Sequence, residues 1–221
     1  MRCVVFDLDG TLADTSADLI AAANACFTAR GAQAVLDPVA DARTAFRGGR
    51  AMLRLGYGRL GHGDPAPLVE ADYPRLLEHY AGAIDVHTRL YPGAVAALDR
   101  LAARGDRLAI CTNKPEGLAR TLVARLGIAD RFHALLGADT LPVRKPDPEH
   151  LWQSIDRAGG DRARAVLIGD TETDRGAARN ASVPCVLVTF GPDGDRVAVQ
   201  APAGLLQSYD DLEAVIDPLL P

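Results

Sequence analysis

Residues 3–6 (Cys3, Val4, Val5, Phe6) are apolar without a break, and four later segments are built around similar short apolar runs: Arg107–Thr112, His133–Gly137, Ala165–Gly169 and Cys185–Phe190. Short runs with no polar alternation predict strands covered on both faces, as in a parallel sheet. Helical spacing fills the intervals. Pro92 and Gly93 open a helix whose inward stripe is Val95, Leu98, Leu101 and Ala102, and Gly105 closes it in a left-handed cap. Glu116 to Leu126 is a second helix, ended by Gly127. Pro146 to Ala158 is a third, with Leu151, Trp152 and Ile155 apolar and Gly159-Gly160 at its end. Strands alternating with helices predict an α/β fold, a doubly wound parallel sheet.

The first strand breaks this rhythm. About 85 residues separate it from the next helix-strand pair, and they carry helical patterns only: Thr15–Arg30 with Leu19, Ala23, Cys26 and Phe27 inward, then roughly Ala40–Leu55 and Leu68–Ile84, with the Gly- and Pro-rich loop GYGRLGHGDPAP between the last two. An all-helical insertion after the first strand accounts for them. The expected division is a core domain of residues 1–14 and 89–221 and a helical domain of residues 15–88.

Nearly half of the chain is hydrophobic, enough for a sizeable core. The net charge of -5, with Lys and Arg scattered, offers nucleic acid no electrostatic footprint. No apolar run reaches the roughly 20 residues a membrane span needs, and no leader pattern opens the chain, so a cytoplasmic protein is expected. Cys3, Cys26, Cys111 and Cys185 show no metal or disulfide spacing and read as buried free thiols. The five histidines (62, 79, 87, 133, 150) read as surface or partly buried residues.

Chemistry concentrates at the strand ends. Side chains on a strand alternate, so Asp7 and Asp9 point the same way, about 6.5 Å apart along the chain. Two carboxylates so close repel unless a cation or proton separates them. Gly10 and Thr11 end the strand and put both acids at its C-terminal end, where doubly wound sheets bind ligands. LAICTNKPEG delivers Thr112, Asn113 and Lys114 just before a helix start, suited to holding an anion through hydroxyl, amide and backbone N–H donors. VRKPDPEH places Lys145 before another helix, and AVLIGDTETDRGAA ends a strand with Asp170 and Asp174. Hard oxygen ligands favour Mg²⁺, which bridges a few carboxylates to substrate phosphate.

D-x-D-G-T, a strand ending in T-N, then K-P, then G-D-x-x-x-D, in this order, resembles the haloacid dehalogenase (HAD) superfamily of phosphohydrolases along essentially the whole chain. Taken singly, each motif also suits a turn or a helix cap; four at successive strand ends in one family's order do not. The insertion resembles that family's helical cap, joined by linkers near Asp14-Thr15 and Val86-Pro92 and expected to open and close. RTAFRGGRAMLRLGYG and FGPDGDRVAVQAPAGLLQSYDDL resemble the phosphoglycolate phosphatase branch.

The resemblance implies Asp7 as the nucleophile that forms an aspartyl-phosphate and Asp9 as general acid and then base. Thr112 and Lys145 would hold the phosphoryl oxygens with the Asn113 backbone. Asp170 would complete a Mg²⁺ site with the Asp7 carboxylate and the Asp9 carbonyl, and Asp174 would orient Lys145 or the metal's waters. Arg47, beside Gly48-Gly49, is the candidate for a substrate carboxylate or distal anion, although Arg47, Arg50 and Arg54 also fit a solvated helix face. The implied substrate is a small phosphorylated metabolite. Alternatives are a sugar phosphomutase, in which Val often stands where Thr11 does here, and a non-catalytic regulator, which would not need the intact acid and base set. Dehalogenation is disfavoured because that branch lacks an acid at the place of Asp9.

Overall fold

A computed structural model describes residues 1–220; Pro221, which the expected core domain includes, lies outside them. The chain divides into two compact units, Met1–Asp14 with Leu90–Pro221, and Thr15–Arg89.

The first unit is built on a parallel sheet of β1 (Cys3–Phe6), β4 (Arg107–Cys111), β5 (Ala134–Leu136), β6 (Ala165–Gly169), β7 (Cys185–Val188) and β8 (Gly204–Leu206), in the order β5-β4-β1-β6-β7-β8. Two-residue strands β2 (Ala13–Asp14) and β3 (Arg89–Leu90) pair separately. β1 lies between β4 and β6, with Val5 opposite Ala109 on one side and Leu167 on the other. Successive connections run outward from β1 first in one direction and then in the other, so its C-terminal end is the switch point at which such sheets open a crevice.

Every residue of β1, β6 and β7 is buried, as the unbroken apolar runs predict for a sheet flanked by helices. On one face Val5, Ala109, Cys111, Leu167, Cys185 and Leu187 meet Leu151 and Ile155 of α7 (Pro148–Arg157) and Ala177, Ala178 and Ala181 of α8 (Glu172–Ala181). α5 (Ala94–Ala103), α6 (Glu116–Arg125) and α9 (Leu212–Ile216) complete the unit. Gly105, Gly127 and Gly159 follow α5, α6 and α7 with positive φ, each one residue past the cap. The short edge strand β8 was not expected: G-L-L is too brief to show a period.

The second unit is helical: α1 (Ser16–Ala29), α2 (Ala42–Ala45), α3 (Gly49–Arg59) and α4 (Ala66–Gly82). The single helix expected over Ala40–Leu55 is two, because Gly48 has φ +93°, a conformation that breaks a helix and that a β-carbon would strain. α3 runs on through Tyr57, Gly58 and Arg59, so the expected loop between the last two helices shrinks to residues 60–65. The unit is fastened by a buried acid. Asp72 of α4 accepts from Arg30 Nε and Nη2 at 2.6 and 2.8 Å, and also from the Tyr57 hydroxyl. Asp41 is held by both terminal nitrogens of Arg59, and Asp18 accepts the N–H groups of His87 and Thr88.

Candidate active site

The loop after β1 carries Asp7 and Asp9. Asp7 still belongs to the sheet through its N–H to the Ile168 carbonyl at 2.9 Å, and its Oδ1 accepts the next amide, Leu8 N–H, at 2.7 Å. Gly10 then turns the chain with φ +81°; a β-carbon there would lie inside the Asp170 carboxylate. The glycine therefore lets the first loop and the end of β6 approach this closely.

Lys145, on the connection after β5, reaches back to the centre of the sheet. Its Nζ lies 3.1 Å from Asp7 Oδ1 and 2.6 Å from Asp174 Oδ1. Asp7, Asp170 and Asp174, all buried, each bring a carboxylate oxygen within 4.8 Å of the others. Burial pushes the Asp7 carboxyl up to about 6; Lys145 opposes the rise, and Asp174 and Asp9 add to it. Asp170 is raised well above the usual carboxylate range by burial, then by Asp174 and Asp7, against a hydrogen bond from Thr11 Oγ1 at 3.1 Å and the charge of Lys145. Burial disfavours the charge on Lys145, but Asp174 and Asp7 outweigh it and keep the ammonium protonated. One ammonium among three acids leaves this cluster short of positive charge.

The oxygens are not equally available. Asp174 Oδ1 receives Lys145, and Oδ2 receives Thr171 N–H at 3.0 Å, Thr171 Oγ1 at 2.6 Å and Asp170 N–H at 3.3 Å. Thr171 is the N-cap of α8 and Asp174 its third residue, so this acid also closes a capping box. Asp174 is thus committed to holding Lys145 and the helix start. Asp7 and Asp170 are the carboxylates suited to a hard cation, and an all-oxygen donor pair of excess negative charge fits Mg²⁺.

Asp9 lies apart from the acidic cluster. Its two oxygens receive Lys114 Nζ at 2.8 and 3.0 Å. Each of the two acids of the first loop thus faces its own lysine, Lys145 at Asp7 and Lys114 at Asp9. Thr112, directly after β4, is buried, and its Oγ1 accepts Lys114 N–H at 3.2 Å. Asn113 is exposed, and its side-chain amide donates to the Lys145 carbonyl at 3.0 Å, tying the two loops together instead of offering the amide to an anion. Arg47 is exposed in the helical unit. Beside it, Arg50 is engaged by Glu70 at 2.8 Å and lies over the Tyr73 ring, so it is not simply a solvated charge.

His150 corrects the expectation that the histidines lie at or near the surface. It is fully buried on α7, with Nε2 2.9 Å from the Gly137 carbonyl and Nδ1 3.4 Å from Cys111 Sγ. Burial, and secondarily the charge of Lys145, lower its pKa despite the Gly137 contact. The neutral ring therefore donates to Gly137 and accepts from the Cys111 thiol, linking the ends of β4 and β5 next to Thr112. The signal was present in the sequence: position 150 shares the inward stripe of Leu151, Ser154 and Ile155.

The family model for haloacid dehalogenase-like hydrolases matches residues 1–182. A phosphoglycolate phosphatase of Mesorhizobium japonicum is 38% identical over 213 residues, 95% of this chain and 92% of that protein. One of Agrobacterium fabrum is 40% identical over 190 residues, 85% of this chain and 80% of its own. Among solved structures, that of a predicted phosphoglycolate phosphatase from Haemophilus somnus superposes with a TM-score of 0.85 at 22% identity, covering 97% of both chains, a likeness of fold.

Proposed function

This chain belongs to the haloacid dehalogenase-like hydrolase family and is a phosphatase; from that premise we propose that it hydrolyses phosphoglycolate through an aspartyl-phosphate on Asp7. Leu8 N–H and Lys145 orient the Asp7 carboxylate through Oδ1, and Oδ2 bonds to phosphorus while the bond from phosphorus to the glycolate oxygen breaks. Asp9 donates its proton to the departing glycolate oxygen. It then takes a proton from a water whose oxygen bonds to phosphorus as the Asp7–phosphorus bond breaks, releasing phosphate. The Thr112 hydroxyl and the Lys145 ammonium hold the phosphoryl oxygens, whose charge their donors match. Asp7 and Asp170, with the Asp9 carbonyl, would hold Mg²⁺, which when bound supplies positive charge to the phosphoryl oxygens and the paired acids. Asp174 keeps Lys145 in place.

The observation that carries this reading is the placement of Lys145 between Asp7 and Asp174, with Asp170 in the same buried cluster. That arrangement sets a nucleophile against a fixed cation beside one further hard ligand, Asp170. The substrate follows from the two curated relatives, which are phosphoglycolate phosphatases over most of their length. The purified protein with Mg²⁺ should release phosphate from phosphoglycolate faster than from a panel of other phosphate esters, and Asp7→Asn should abolish release. Undiminished release by that variant would overturn the mechanism, and a different preferred ester would overturn the substrate.

A further inference from the structure

The basic residues of this chain are unevenly chosen. Of 24 lysines and arginines, two are lysine, Lys114 and Lys145, and every other is arginine. Both lysines are buried, 6% and 3% exposed, and each faces one acid of the loop after β1. An ammonium is a compact point charge with three donors that can be shared among several oxygens, whereas a guanidinium imposes a planar fork. The two positions that take lysine are the two where one cation meets a reacting carboxylate in a confined space. Lys145 has its task at the phosphoryl group; Lys114 has none in the reaction as derived above.

We propose that Lys114 is the specificity-determining residue that reads the carboxylate of the substrate. The inference rests on the phosphoglycolate reading. Lys114 Nζ lies 2.8 and 3.0 Å from the two oxygens of Asp9, the group that must come within hydrogen-bond reach of the leaving oxygen. Nζ is therefore within about 6 Å of that oxygen, by adding two hydrogen-bond lengths. In phosphoglycolate one methylene separates the ester oxygen from the carboxyl carbon, so the carboxylate oxygens lie roughly 3 Å from the leaving oxygen by ordinary bond lengths. The substrate carboxylate and Asp9 then meet the same ammonium from two sides. The main chain backs this placement. Lys114 N–H donates to Thr112 Oγ1 at 3.2 Å, and the Lys114 carbonyl accepts Ala138 N–H at 2.9 Å, so the residue that would read the carboxylate is anchored to a phosphoryl-binding one.

The test compares phosphoglycolate with 2-hydroxyethyl phosphate, which replaces the carboxylate by a hydroxymethyl group. In Lys114→Met the ratio of their kcat/KM values should fall about 30-fold, equivalent to about 2 kcal/mol, because the uncharged ester loses nothing at that end. An equal loss for both esters would overturn the proposal, leaving Lys114 as a support for Asp9 alone. So would an unchanged ratio in Lys114→Met with a collapsed ratio in Arg47→Ala. A wild-type enzyme with no preference between the esters would instead refute the phosphoglycolate reading itself. Should the methionine variant not fold, the unaltered protein serves. Labelled with ¹⁵N-lysine, one of its two ammonium signals should shift with 3-phosphonopropionate and not with 3-hydroxypropylphosphonate; identical responses to both would refute the assignment.

Discussion

Replacing Asp174 by asparagine keeps the shape of the side chain and removes its charge. The carboxylate receives four donors, Lys145 on Oδ1 and the Thr171 amide, Thr171 hydroxyl and Asp170 amide on Oδ2. An asparagine has one acceptor oxygen, so its NH₂ must face either the ammonium or the Thr171 group, donor against donor. Removing one partner of a buried ion pair costs about 3–5 kcal/mol. Lys145 retains Asp7 at 3.1 Å, which places the electrostatic loss near the lower end of that range. Weakening of the reciprocal half of the capping box, Thr171 N–H to the residue-174 side chain, adds about 1 kcal/mol. The expected total is about 4 kcal/mol, or a drop of roughly 2 M in the urea midpoint at a slope near 2 kcal/mol/M. Thr171→Ala, which loses the cap hydroxyl but keeps the ion pair, should lose only about 1 kcal/mol. Equilibrium urea unfolding at neutral pH without added metal measures both. A midpoint for Asp174→Asn within 0.5 M of wild type, about 1 kcal/mol at that slope, would refute the view of this acid as a committed structural partner of Lys145. In that case a role at the metal would have to be considered.

Gly10→Ala should lower kcat about 100-fold and weaken Mg²⁺ binding measured by calorimetry, since its β-carbon would displace the Asp170 carboxylate and misplacements of about 1 Å cost that much; unaltered Mg²⁺ affinity would count against Asp170 as a ligand. His150→Leu removes one of the two donors to the Gly137 carbonyl, which keeps Thr140 N–H at 3.1 Å, and should cost about 0.5–1.5 kcal/mol in urea unfolding; a fully stable variant would remove the imidazole from the account of how β4 and β5 are joined. In the helical unit, Arg30 is the main cause holding the Asp72 carboxyl below the usual range, against its burial. The sign follows: the interaction stabilises fully above the unfolded value near 3.9 and is lost as pH falls through the lower folded value. Thermal midpoints between pH 2 and 6 should thus fall more steeply on acidification for wild type than for Asp72→Asn, and parallel curves would refute this.

How much of this was legible in the sequence depends on how each interaction is encoded. The central strands were readable because burial on both faces leaves an unbroken apolar run, and the helix ends because Gly105, Gly127 and Gly159 adopt conformations that other residues avoid. The motif acids were readable because they follow those runs directly. What escaped was pairing across the chain. Lys114 and Asp9 are 105 positions apart and Lys145 and Asp174 are 29 apart, and neither partner carries a local mark of the other. Edge strand β8 and the break at Gly48 escaped for the opposite reason, being local events too short to register as a change of period. The two kinds of miss have different consequences. Misplacing a three-residue strand leaves the chemistry intact. Missing the partner of the Asp9 carboxylate hides a second buried cation beside the site, Lys114. In a chain that otherwise uses arginine, the choice of lysine was the one trace of that pairing the sequence held.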